Sequence, residues 1–88
     1  MGRRLKSEDC WIHVFENDHF GGRIRQLELG ECELIRKIGS IIVGPKAQAE
    51  VVDRNNRTML HLNSRKLIKD AAKLVWRDRA TSVRVAKA

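Results

Sequence analysis

The chain of 88 residues has no tyrosine, one proline, two cysteines and four aromatic residues, Trp11, Phe15, Phe20 and Trp76. Each scarcity narrows the reading. With so few rings, and with neither an RNP-like aromatic motif nor a helix-turn-helix pattern, base-specific nucleic-acid recognition has no basis in the sequence. Two cysteines, Cys10 and Cys32, are too few for a disulfide framework. Cys10 opens the first strand and Cys32 lies in the loop after the second, so they could meet. The expectation is two reduced thiols, a bridge being the mark of an oxidising compartment. No histidine stands at ligand spacing from either cysteine, which argues against zinc. No apolar run is long enough to span a membrane. The start, Met1-Gly2-Arg3-Arg4-Leu5-Lys6, lacks the apolar stretch of a signal peptide, which favours a cytoplasmic location, although an exported protein that has lost its leader would begin the same way. Nucleophile contexts and phosphate-cradling glycine loops are also missing. His13, His19 and His61 read as solvated strand and hairpin residues, so the chain is expected not to be an enzyme.

What is abundant is positive charge. Eighteen Lys and Arg against eleven Asp and Glu leave a net +7. The cations are spread along the chain, in Arg3-Arg4, Arg23-Arg25, Arg36-Lys37, Arg54-Arg57, Arg65-Lys66 and Arg77-Arg79. Dispersal of this kind often serves solubility alone. As a functional signal it points to polyanions, bound through salt-sensitive phosphate electrostatics. With 42% hydrophobic and 33% charged residues the composition is that of a globular chain, and the length suffices for one small core.

The pattern of the residues is that of strands, in two copies. Ile12-His13-Val14 alternates and ends on Phe15, then comes the turn Glu16-Asn17-Asp18-His19-Phe20-Gly21-Gly22. A second alternating strand, Arg25 to Leu29, follows and closes with Gly30-Glu31. Glycine in such a turn supplies left-handed backbone, and Phe20 can cap a hairpin folded back over Phe15. Ser40-Ile41-Ile42-Val43 is echoed by Ser82-Val83-Arg84-Val85, with Leu34 to Gly39 corresponding to Trp76 to Thr81. Gly44-Pro45 punctuates the halves. The second half restarts with the strand Ala47 to Asp53, in which Ala49 and Val51 stand where Ile12 and Val14 do. It continues through the turn Arg54 to Arg57 and the strand Met59 to Leu62. The core is expected to hold Ile12, Val14, Leu27, Leu29, Ile41, Val43, Val51, Leu60, Leu62, Val83 and Val85. Between the strands, Leu67, Ile68, Ala71, Ala72 and Val75 recur at helical spacing behind an Asn63-Ser64 cap. This predicts a helix of one to three turns within 65–75.

These residues resemble the β/γ-crystallin family. Its signature is an aromatic-acid pair, three residues, an aromatic, any residue and glycine, which Phe15-Glu16 to Gly22 approaches. Its closing tryptophan, acid/amide pair, two variable residues, Ser/Thr-Ser and apolar alternation are approached by Trp76 to Val85. The resemblance covers nearly the whole chain. It implies an all-β fold, two Greek-key motifs forming one sandwich, with a loose segment 1–9, a domain 10–88, a first key 10–44 and a second 45–86. The second hairpin departs from the pattern. Val52 replaces an aromatic and the turn has no glycine, so a shortened or open hairpin is expected, with Asn55-Asn56 supplying left-handed backbone.

Many microbial members of this family bind calcium, a hard cation needing six to eight oxygens. The resemblance implies ligands from two loops of acid/amide, acid/amide, two variable residues, Ser/Thr, Ser, together with hairpin carbonyls. In the first loop, Ile35 to Ser40, both acid/amide positions are lost and Gly39 stands in place of the hydroxyl. In the second, Arg77 to Ser82, Asp78 and Thr81 remain. The vestigial candidates are Asp78 and Thr81 by side chain and Glu16, Asp53 and Arg79 by main-chain carbonyl. The sequence leaves open which hairpin serves which loop. It also leaves open whether the arginines replace the ion or mark a decayed site. The expectation is a non-enzymatic binding or structural domain with no cofactor and weak or lost calcium binding, regained by Arg36→Asp with Gly39→Ser. The alternative is a small secreted cationic antimicrobial or peptidase-inhibitor-like domain on the same scaffold.

Overall fold

A computed structural model describes residues 9–88, so all but Asp9 of the segment expected to be loose lies outside the described residues. Alternation in the sequence becomes strand wherever one face can be buried. In β1 (Trp11–Phe15) Ile12 and Val14 point inward and are buried, while Trp11 and His13 stay half-buried on the other face. The remaining strands are β2 (Ile24–Glu28), β3 (Cys32–Leu34), β4 (Ser40–Val43), β5 (Ala47–Asp53), β6 (Thr58–Leu62), β7 (Leu67–Ile68) and β8 (Ala80–Lys87). Three 3-10 turns complete the described residues, at Ile35–Lys37, Ala71–Lys73 and Arg77–Arg79.

The strands form two four-stranded antiparallel sheets, in the orders β2-β1-β4-β7 and β3-β8-β5-β6. In each half the third strand crosses to the sheet of the other half: β3 pairs with β8, and β7 pairs with β4. Two Greek keys therefore share one sandwich, and neither half has a complete sheet without the other.

Between the sheets lie Ile12, Leu27, Ile41 and Val43 from one side and Ala49, Val51, Val83 and Val85 from the other, all at most 2% exposed. Two expected core residues are placed differently. Leu29 is 52% exposed, because β2 ends at Glu28 and a turn follows, with Gly30 at φ 85° and Glu31 N donating to Glu28 O. Leu60 is half-buried and packs on the core margin, next to an irregularity in the β5–β6 register at Val51/Val52. The core also recruits Cys10, Ile35, Ile38, Ala47, Ile68, Ala71 and Trp76, which the alternation did not single out.

The helix expected within 65–75 forms only as the 3-10 turn Ala71–Lys73. Leu67–Ile68 instead extends the first sheet, Ile68 opposite Ile41 and Leu67 opposite Ile42. Flanking amides join in, Val43 N donating to Lys66 O and Arg65 N to Val43 O. Asp70 then takes an extended conformation (φ −145°, ψ 97°) and caps the 3-10 turn by accepting from Ala72 N at 3.1 Å. The helical spacing has no single buried face to serve: Ile68 and Ala71 are buried, whereas Leu67 is 54% and Val75 93% exposed. Pairing with a sheet edge satisfies this backbone better than an isolated short helix could. Cys10 is buried, Cys32 is exposed at the start of β3, and the two are not bridged.

The packing predicts how substitutions partition. Ile12→Ala, at a site with no exposed surface, should lower unfolding free energy by about 2–5 kcal/mol. Leu29→Ala should change it by less than about 0.5 kcal/mol. Denaturant titration of both variants checks this, and a Leu29 cost equal to that of Ile12 would contradict the placement of the turn.

Candidate functional site

The hairpin between β1 and β2 is folded down onto the body of the domain. Its backbone closes through Glu16 N to Arg23 O (2.9 Å) and Asn17 N to Gly21 O (3.0 Å). At the tip three residues are left-handed: His19 (φ 52°), Phe20 (φ 59°) and Gly22 (φ 77°). Only the last is a glycine. The two side-chain-bearing residues are held by contacts from elsewhere. His19 N donates to Lys69 O at 2.7 Å, and Phe20 N donates to Ser40 Oγ at 2.9 Å. The Ser40 hydroxyl, fully buried, itself donates to Asn17 O at 2.7 Å. The Phe20 ring meets Phe15 edge to face with centroids 5.5 Å apart, which is why Phe15 is buried although it lies on the outer side of β1. His13 belongs to the same row: it stacks on Trp11 at 4.3 Å and bonds Gln26 at 2.8 Å, and so is less solvated than its alternating position suggests.

Gly39 is the second half of this clamp. Its N donates to Phe15 O (2.7 Å) and its carbonyl accepts from Ala71 N (2.8 Å). A Cβ placed on Gly39 would lie 2.4 Å from the carbonyl carbon of Asn17 and 2.6 Å from its Cα. The hairpin backbone thus occupies the space that a hydroxyl-bearing side chain would need. Replacing Gly39 by Ser, the change expected to help restore a metal site, meets backbone that cannot swing aside.

The second hairpin is short. Asp53 Oδ1 accepts from Asn55 N (2.9 Å) and Arg57 N (3.0 Å), Asp53 O accepts from Asn56 N (2.9 Å), and Asn56 supplies the left-handed residue at φ 63°. Among the described residues this turn does not fold back over β5.

With both hairpins placed, their loops can be assigned. Each hairpin packs against the loop of its own half: the first on Gly39 and Ser40, the second where Asp53 stands across from Ala80 and Val52 from Ser82. Of the candidate ligands, Glu16 opens the first hairpin, Asp53 ends β5, Asp78 and Arg79 sit in the last 3-10 turn, and Thr81 is the second residue of β8. The loops themselves meet at Arg36. It borders a depression of about 330 Å³ together with Ala80 and Thr81. It also borders a larger cleft of about 690 Å³, whose wall includes Glu16. Asp53 and Asp78 border neither. Arg36 and Thr81 are therefore brought together, with Glu16 across the larger cleft, while the Asp53 carboxylate is spent on its own turn. Among the described residues no three His, Cys, Asp or Glu side chains gather as a metal-binding group.

No protein-family model matches this sequence, and no curated protein matches it. Solved structures do share its shape. A structure from work on the evolution of the eye lens β/γ-crystallin domain fold aligns over 91% of this chain and 88% of its own, with a TM-score of 0.70 and 17% identity. The β/γ-crystallin domain of Abundant Perithecial Protein from Neurospora crassa, solved in its Ca2+-bound form, aligns over 90% of both chains with a TM-score of 0.66 and 15% identity. Hahellin, a β/γ-crystallin, aligns over 89% of this chain and 92% of its own, with a TM-score of 0.60 and 20% identity. With two four-stranded antiparallel sheets and these structural neighbours, this chain has the β/γ-crystallin domain fold.

Proposed function

We propose that this chain is a non-enzymatic β/γ-crystallin-type binding or structural domain, directed to polyanions, in which calcium binding is weak or lost. The observation that carries the reading is the packing of the first hairpin onto Gly39. Where a calcium loop would offer a hydroxyl, the Asn17 backbone already fills the space. Direct hydrogen bonds made by Gly39 and Ser40 hold the hairpin against β4 and its loop. Arg36 supports the same conclusion from the side of charge. It stands beside Thr81, and a guanidinium a few ångströms from a divalent ion costs on the order of several kcal/mol even at an effective dielectric of about 20. Thr81 and scattered carbonyls do not supply the six to eight oxygens that calcium takes. The unbridged Cys10 and Cys32 favour this reading over a secreted, disulfide-stabilised inhibitor.

Two measurements test it. Thermal unfolding in excess chelator and in millimolar calcium should give the same midpoint. A ligand at a hundred times its Kd would add about 2.7 kcal/mol, a rise of roughly 10–20 °C in a domain of this size, and such a rise would overturn the reading. Ser40→Ala removes a donor to Asn17 and an acceptor for Phe20. It should cost about 1–3 kcal/mol and speed amide exchange at residues 16–22, with calcium giving no rescue. Unchanged exchange there would mean that the hairpin is held by something else.

A further inference from the structure

We propose that the cleft at the open edge of the sandwich, between β2, β3 and the first 3-10 turn, binds ligands carrying several phosphates in series. This inference rests on the polyanion reading and gives it a location. The cleft has a volume of about 690 Å³, within the roughly 300–1,000 Å³ usual for ligand sites. Its wall carries four cations, Arg23, Arg25, Arg36 and Lys37, against two carboxylates, Glu16 and Glu33.

Those charges are not evenly paired. Arg25 Nη1 is bound to Glu33 Oε2 at 2.7 Å. Glu16 Oε1 faces the backbone amide of Arg23 at 3.4 Å, not its guanidinium. Among the described residues, Arg23, Arg36 and Lys37 make no ion pair. Three exposed cations, drawn from the hairpin and the 3-10 turn, therefore face one concave space. Concave walls of one sign focus the field and raise the local concentration of oppositely charged ligands.

The cations stand on firm backbone. Arg36 and Lys37 lie between Ile35 and Ile38, which are 5% and 2% exposed and anchor the turn in the core. Arg23 is tied by its carbonyl to Glu16 N at 2.9 Å. Positioned guanidinium groups engage phosphate oxygens in pairs, through a fork that lysine lacks. The smaller depression beside Arg36 adds no further cation, its other lining residues being Leu34, Ile35, Ala80 and Thr81, so the basic wall is that of the cleft itself. A row of phosphates can engage Arg23, Arg36 and Lys37 together, whereas a single oxyanion would use only part of them. The shared chemistry is a phosphate chain, free or as a nucleic-acid backbone.

The test uses the full chain with two probes, inorganic tripolyphosphate and a labelled single-stranded twelve-nucleotide thymidine oligomer. Arg23→Ala with Arg36→Ala and Lys37→Ala is compared with a charge-matched control, Arg54→Ala with Arg57→Ala and Lys87→Ala. At low salt the cleft variant should bind at least about tenfold more weakly, and its salt slope for the oligomer should fall by about two, at roughly 0.7 per lost phosphate contact. The control should lose less than about threefold, the share due to general charge. Binding confined to tripolyphosphate would name free phosphate chains as the ligand, and binding of both probes would add nucleic acid. Equal weakening in the two variants would overturn the cleft while leaving the polyanion reading in place. No binding of either probe by the unaltered protein would end both. Should the cleft variant fail to fold, amide shifts in the unaltered protein decide: shifts concentrated at residues 23–25 and 33–37 on adding tripolyphosphate support the site, and shifts spread over the surface refute it.

Discussion

The hydroxyl of Ser40 sits out of reach of solvent between two pieces of backbone, accepting from Phe20 N and donating to Asn17 O. Much of the first half depends on that pair of bonds. They hold Phe20, as the Lys69 carbonyl holds His19, in left-handed conformations that cost side-chain-bearing residues on the order of 1–3 kcal/mol each. They place the Phe20 ring on Phe15 and bring the hairpin backbone down until Gly39 has no room for a side chain. The wall of the basic cleft follows, because Glu16 and Arg23 are the two ends of the same hairpin.

The halves solve one topological problem with different local means. In the first, a strained tip is held by a buried serine and an aromatic pair. In the second, Asp53 organises a short turn through its own carboxylate and has no need of a fold-over. The difference matters at the edge where the halves meet. There Arg36 reaches toward the start of β8 while Asp53 is turned away. An architecture that in the Neurospora crassa domain was solved with calcium is here lined by fixed cations.

At 15–20% identity with the compared domains, side-chain identity is not what preserves the shape. Inward positions need only be apolar and of fitting volume. The exchange of β3 and β7 between sheets then makes each half's core the other half's support. Activity does not follow from such likeness, since one fold hosts many functions. The functional reading stands on Gly39, Arg36 and the cleft.

By itself the sequence determined six of the strands, most of their inward residues and the two-fold repeat, because a period of two with apolar Ile12, Val14, Val51, Val83 and Val85 leaves one way to bury a face; it read Cys32–Leu34 as loop, and that short stretch is β3. The resemblance to the family's calcium loops also marked Arg36 and Gly39 as departures from that pattern, a comparison that needs no coordinates. The sequence misjudged residues whose fate depends on where the chain goes next: Leu29, carried outward by the turn after Glu28, and the segment 65–75, where an open sheet edge at β4 outcompetes helical spacing. Local pattern carries no information about that edge. Tertiary structure alone decided that each hairpin packs on its own loop, that Asn17 fills the space above Gly39, and that Arg23, Arg36 and Lys37 share one cleft. Those are contacts between residues far apart along the chain, and only folding brings them within range of one another.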